Sequence, residues 1–190
     1  MSYTSNIDYV YSDPHFHHEN IIEYCNRPFS SVEEMDKMLL HRWNNMVSED
    51  ETVLFLGDLA MAPQDKALRT LHELNGEILF IRGNHDDILF DTQSDIMVYN
   101  SITFEHRGLT IPCTHYPEEP PDDHTEYVFH GHTHNNDLDT YPFFNPHNRT
   151  FNFSAELLGY TPLPYEYVAE ILFERKSTVY KEFTEHLRRE

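Results

Sequence analysis

The sequence predicts an α/β protein: two β-sheets packed as a sandwich and flanked by helices. Apolar runs and helical periodicities alternate through the first half, and strand-like runs dominate the second. The chain's 190 residues are enough for one domain with a sizeable core, so residues 1–190 are read as a single domain.

The elements follow in order. "IDYVYS" (7–12) reads as a strand. Residues 31–47, "SVEEMDKMLLHRWNNMV", read as a helix. Ser31 and Glu34 fit a capping box, and Val32, Met35, Leu39, Trp43 and Met46 recur at helical spacing. "TVLFLG" (52–57) is a buried strand, and "PQDKALRTLHELNG" (63–76) a helix with Pro63 at its first turn and Asn75-Gly76 at its end. "EILFIRG" (77–83) is a second buried strand. "SITFEH" and "LTIPCTH" form a hairpin turning at Arg107-Gly108. "EYVFHG" (126–131) and "RTFNFS" (149–154) are further strands, and "PYEYVAEILFERK" (164–176) is a helix before a charged tail. No internal repeat or low-complexity linker interrupts them, although "YPEEPPDDH" (116–124) is a Pro-rich acidic loop.

No apolar run is long enough to span a bilayer, and the N-terminus lacks the basic and apolar blocks of a signal peptide. Cys25 and Cys113 are too few for a disulfide framework. The chain therefore reads as cytoplasmic and without membrane association. Its net charge of −20 repels a nucleic-acid backbone, which proteins neutralise with Lys and Arg. Most of the acids sit on helix-like or loop segments, where a solvated acidic surface explains them. The fourteen histidines, against thirteen Lys plus Arg, need another explanation.

Part of that explanation is "FHGHTHNND" (129–137), which puts His130, His132 and His134 on alternate positions. In an extended chain these share a face and converge on one object. The ends of the other apolar runs extend the pattern. The run at 7–12 stops at Asp13-Pro14-His15, and "TVLFLG" stops at Asp58. "EILFIRG" stops at Asn84-His85-Asp86, "LTIPCT" at His115, and "EYVFHG" at His132-Thr133-His134. Turn chemistry accounts for Asp58 or Asn84 singly, but not for histidines repeated in the same register. Ligands of open α/β sheets bind at the carboxyl ends of the strands, so these five loops can meet at one edge.

The donor inventory there points to metal. Four imidazoles (His15, His115, His132, His134), two carboxylates (Asp13, Asp58) and one amide oxygen (Asn84) exceed the needs of one four-coordinate ion, unless a carboxylate bridges two. Nitrogen and oxygen donors without thiolate suit Mn²⁺, Fe, Zn²⁺ or Ni²⁺. Cys113, two residues from His115, reads as a small core residue.

"DPH", "GD", "GNHD", "TH" and "GHTH", in that order from residue 13 to 134, resemble the signature of the calcineurin-like metallophosphoesterases. That family has a two-sheet sandwich flanked by helices. "FNFSAELLGYTPLPYEYV" resembles the closing strand and loop of its small bacterial and phage-type members. The resemblance implies one metal on Asp13, His15, Asp58 and His134, and a second on Asp58, Asn84, His115 and His132, with Asp58 bridging. Mn²⁺ is the first expectation for both. His85 would contact the phosphoryl oxygens or protonate the leaving group, and Asp86 would orient or tune His85. Two such cations can clamp a phosphoryl group and supply a hydroxide nucleophile.

Pro14 is a local departure, and it should bias Asp13 to an extended conformation. His18 is a possible pocket-lining residue. Arg27 in "YCNRPF" is a possible phosphate fork, or an anchor for its loop. The expected function is dinuclear metal-dependent hydrolysis of a small phosphoester. A metal-bearing interaction module with weak or absent chemistry, and a nuclease on short oligonucleotide ends, are the alternatives. Long nucleic acid is disfavoured by the charge. Substrate walls are expected in residues 16–31, 116–126 and 135–148, and oligomeric state is open.

Overall fold

A computed structural model describes residues 2–3, 6–87, 97–118 and 127–174. In chain order the elements are β1 (Ser2–Tyr3), β2 (Tyr9–Tyr11), α1 (Glu19–Tyr24), α2 (Val32–Met46), β3 (Thr52–Phe55), α3 (Gln64–Glu73) and β4 (Glu77–Ile81). Then come β5 (Val98–Tyr99), β6 (Ser101–His106), β7 (Leu109–Thr114), β8 (Val128–His130), β9 (Phe144–Asn145), β10 (Thr150–Asn152), β11 (Leu163–Pro164) and α4 (Tyr165–Glu174). One sheet runs β11-β2-β3-β4-β5 and the other β1-β6-β7-β8-β10-β9. This is the two-sheet α/β architecture that the alternating pattern predicts. The acidic stretch beyond residue 118, the end of the 164–176 helix and the charged tail lie outside the described residues.

β2 to β5 pair in parallel, so the loops after β2, β3 and β4 all emerge at one edge. β7 and β8 are also parallel to each other, with Cys113 opposite Phe129. A parallel bridge between Ser12 and Ser154, just past β2 and β10, joins the two sheets beside that edge. The fold thus gathers the ends of five strands, two from one sheet and three from the other.

Helix α2 shows how periodicity becomes packing. Its Met35, Leu39 and Trp43 are buried. The Trp43 ring meets Tyr11 edge-on at 5.6 Å and Phe55 at 6.1 Å, and its Nε1 donates to Asn75 O at 3.0 Å. One side chain therefore joins α2 to two strands and to the turn after α3. The Ser31 hydroxyl accepts from Glu34 N as a cap should, but the Glu34 carboxylate reaches Ser30 N rather than closing the reciprocal bond on Ser31.

The hairpin turns where the sequence places it: Arg107 and Gly108 take φ of 48° and 84°. Positive φ at both central residues defines the type I′ turn that matches strand twist. Cys113 is fully buried in β7, as a core residue. Helix α1 and the two-residue strands β1, β5, β9 and β11 have no counterpart in the sequence reading. A two-residue strand carries no alternation to detect.

Trp43→Ala removes the ring that joins three elements. It should lower the unfolding free energy by about 3–5 kcal/mol, seen as a lower urea midpoint with an unchanged slope.

Candidate metal centre

All seven expected ligand residues stand at the gathered edge, and their side chains sort into clusters. Asp13, His15 and His134 each present a ligand atom within 4.8 Å of the others, and so do Asp58, His115 and His132. A further set, His15, Asp58 and His85, overlaps both. Asn84 joins the second cluster, its Oδ1 3.0 Å from His115 Nε2, and His132 Nδ1 is 3.2 Å from the same atom. Between the clusters sits Asp58 Oδ2, 3.4 Å from His15 Nε2 and 3.4 Å from His115 Nε2. Two donors on one transition ion, each bonded at about 2.1 Å, are separated by about 3–3.5 Å. His15 Nε2 is buried and makes no hydrogen bond, so a metal would satisfy it where no protein group does.

The backbone is bent to make this arrangement. Asp13, His15, Asp58, His132 and His134 all have positive φ, from 49° to 68°. Non-glycine residues adopt this region rarely, though Asp and His tolerate it better than most. Asp13 is therefore not extended, despite the bias of the following proline. The bend is held by hydrogen bonds from its neighbours: the Asp13 carboxylate accepts from His132 N and Ser154 Oγ, each at 2.9 Å. The same conformation overturns the expectation for "FHGHTH". With φ positive at 132 and 134 the chain is not extended, and alternate side chains no longer share a face. His130 is fully buried with its ring 5.6 Å from that of Tyr141, while His132 and His134 go to different clusters. Gly131 is required between them, because a Cβ there would collide with Ser12 Oγ and Asp13 Oδ2.

Charge balance explains the protonation pattern. Burial would raise the Asp58 carboxyl, but the bond and charge of His115, together with His15, hold it well below the usual carboxylate range. Burial likewise opposes charge on His115, yet Asp58 and Asp13 prevail and push it up to about 9. His134 is pushed up to about 11, with Asp13 and Glu156 overcoming burial. For His15 burial wins, and its pKa falls well below the ordinary value. The buried carboxylates thus favour the protonated forms of His115 and His134.

One expected role changes, and another takes one of its two stated forms. Asp86 does not orient His85 by a direct side-chain bond. Its buried carboxylate accepts from Asp58 N at 2.7 Å, Leu59 N at 2.9 Å and Gly83 N at 2.7 Å, clamping the loops after β3 and β4 together. Burial and the nearby Asp58 charge push it up to about 6. Arg27 is the anchor and not a phosphate fork: it is buried and donates to Asp13 O, Pro14 O and Glu156 Oε1. His17 turns away to Asp36 and Thr70, tying its loop to α2 and α3. His18 does line the edge, its ring 5.3 Å from that of His15 and 6.1 Å from that of His85. His85 is half-buried, its ring 5.1 Å from that of His15 and its N–H donating to Asp58 Oδ1 at 2.8 Å.

Two residues at this edge escape the sequence motifs. Ser154 binds Asp13, and Glu156 lies 3.1 Å from His134 Nδ1. Both fall in "FNFSAE", which follows the last motif by a long stretch and has no donor spacing of its own.

No family model matches the chain. Over 171 residues it is 42% identical to the uncharacterized protein MJ1445 of Methanocaldococcus jannaschii, an alignment spanning 88% of this chain and 92% of that one. The chain belongs to the same family. It is also 36% identical over 78 residues to the Gene 66 protein of Mycobacterium phage L5, covering 40% of this chain and 37% of the phage protein. Among solved structures, the protein of unknown function AQ665 from Aquifex aeolicus superposes with a TM-score of 0.62. That match covers 90% of this chain and all of the other at 22% identity, so it shows a shared fold.

A pH dependence follows from His115 and His134. Their folded pKa values exceed the unfolded value, so the stability they contribute is full below about 6.5 and is lost as pH rises through about 9 and then about 11. A metal on these nitrogens would have to displace those protons, and it would bind more tightly as pH rises. The thermal shift produced by saturating Mn²⁺ should be larger at pH about 9 than at pH about 6, read by melts with and without chelator. Equal shifts at the two pH values would contradict this assignment.

Proposed function

We propose that this chain is a dinuclear metal-dependent hydrolase of small phosphoesters. The observation that carries the reading is the placement of Asp58 Oδ2 equidistant from one imidazole of each cluster. Asp13, His15, Asp58 and His134 would hold one divalent cation, and Asp58, Asn84, His115 and His132 the other. Donors of nitrogen and oxygen alone favour Mn²⁺, with Fe, Zn²⁺ or Ni²⁺ as alternatives. Bound there, the two ions supply Lewis-acid charge for a phosphoryl group and for activation of a water at neutral pH.

The chain's own residues complete the chemistry. His85 needs no place in either ligand set, yet its backbone is fixed by Asp58 and its half-buried ring faces His15. From there it is placed to donate a proton to the departing oxygen of the ester. His18 stands next to it, at the N-cap of α1. A module that only displays metal has no use for an unligated imidazole at this position, which favours the enzyme over the interaction reading. The net charge of −20 favours a small ester over a long nucleic acid.

Two experiments test this. Elemental analysis after Mn²⁺ loading and dialysis should find two ions per chain, with Asp58→Asn lowering both and Asn84→Ala mainly one. A stoichiometry near zero in the unmodified chain would remove the two-metal reading. His85→Ala should retain both ions and the fold while losing about 10²–10⁴-fold in rate on esters with poor leaving groups, and less on an activated aryl phosphate. Loss of metal together with activity would make His85 a ligand. Unchanged rates on every ester would make it a bystander.

A further inference from the structure

One cluster beside the candidate metal centre is only partly accounted for by the ligand sets. Cys25, His134 and Glu156 present ligand atoms within 4.8 Å of one another. They do not make a third cation site, because a cation is already there: the Arg27 guanidinium donates to Glu156 Oε1 from Nε at 2.8 Å and from Nη2 at 2.6 Å. Both side chains are essentially inaccessible, at 0% and 3% exposure. A metal ion on this carboxylate would face that guanidinium directly.

What the carboxylate does instead follows from its other neighbour. Both Glu156 oxygens lie 3.1 Å from His134 Nδ1. An ionised carboxylate only accepts, so Nδ1 must carry a proton; a cation bound to this ring would displace the proton on the other nitrogen, since a neutral imidazole keeps just one. The lone pair is then on Nε2, the opposite side of the ring. Arg27 adds a second constraint, since it also donates to Asp13 O at 2.8 Å and Pro14 O at 2.6 Å. One buried ion pair therefore holds the loop bearing Asp13 and the ring of His134, two expected ligands of the same cation.

We propose that Glu156 is the positioning residue of the Asp13 metal site: it fixes His134 with Nδ1 as donor and Nε2 as ligand, and Arg27 holds it in place. The inference rests on the two-metal reading. A purely structural ion pair would gain little here, since isolated buried pairs often contribute no more than an apolar pair of similar size. Outer partners of metal-bound histidines, by contrast, commonly govern affinity about 10–100-fold.

The test is calorimetric titration of the metal-free full chain with Mn²⁺. Glu156→Gln should weaken one of two sites by about 10–100-fold and leave the other unchanged, because the Asn84, His115 and His132 donors are untouched. That variant strands a buried guanidinium and could unfold. The paired change Arg27→Met with Glu156→Gln removes both charges and should show the same selective loss. A readout on the unmodified protein is independent of either variant: long-range ¹H–¹⁵N correlation of the Cd²⁺-loaded chain should find His134 protonated at Nδ1 and metallated at Nε2. The opposite tautomer overturns the proposal, as do two unchanged sites in both variants. Failure of the unmodified chain to bind any Mn²⁺ overturns the two-metal reading and this inference with it.

Discussion

Asp13 and Asp58 place two carboxylates out of water at one edge of the fold, 0% and 1% exposed. A buried carboxylate is costly unless opposite charge or hydrogen-bond donors surround it, and two close together repel. The arrangement of the edge answers that constraint. Asp13 is met by His132 N and Ser154 Oγ, and Asp58 by His85 N and the imidazoles of His15 and His115. These partners come from loops after β2, β4, β7 and β8 and from the segment past β10. Compensating two acids thus obliges both sheets to deliver their strand ends to the same place.

Delivery has a conformational cost. Five of the residues that converge there adopt left-handed backbone, on the order of 1–2 kcal/mol each for an ordinary side chain. Such strain persists only where the surroundings over-determine it. Here they do so through buried polar clamps. Asp86 gathers three backbone N–H groups from two loops, and Arg27 takes two backbone carbonyls and Glu156. These clamps lie at the edge where the strand ends gather. The interior away from it is apolar and aromatic, with Phe129, Phe151 and Phe153 fully buried.

Legibility in the sequence divides along the same line. The long elements were readable because burial imposes a period: Met35, Leu39 and Trp43 face one way because α2 has one face to bury. The donors were readable because each follows an apolar run directly, so strand direction alone brings them to one edge. What was not readable depends on tertiary neighbours. Arg27 has the same spelling as fork or as anchor, and only its burial against Asp13 O and Glu156 decides. Asp86 sits beside His85 in sequence, yet its acceptor atoms are claimed by backbone from another loop. His130 shares the alternation of its neighbours but loses their face once positive φ breaks the extended chain. Glu156 belongs to no motif, because its partners are His134 and an arginine far back in the chain.

Burial also orients the site. Asp13, His15, Asp58, His115 and His134 are buried, whereas His132, His85 and His18 are half-buried and Asn84 is exposed. The open side is therefore the one bounded by the loops that carry Asn84, His85 and His18. Tyr116, 47% exposed, packs against His132 with ring centroids 4.4 Å apart. A ligand reaching the edge from solvent meets His85 and Asn84 before any buried carboxylate. The half-buried and exposed groups lie on this side, and behind them lie the buried ones, tied together through the hydrogen bonds of Asp86, Arg27 and Glu156.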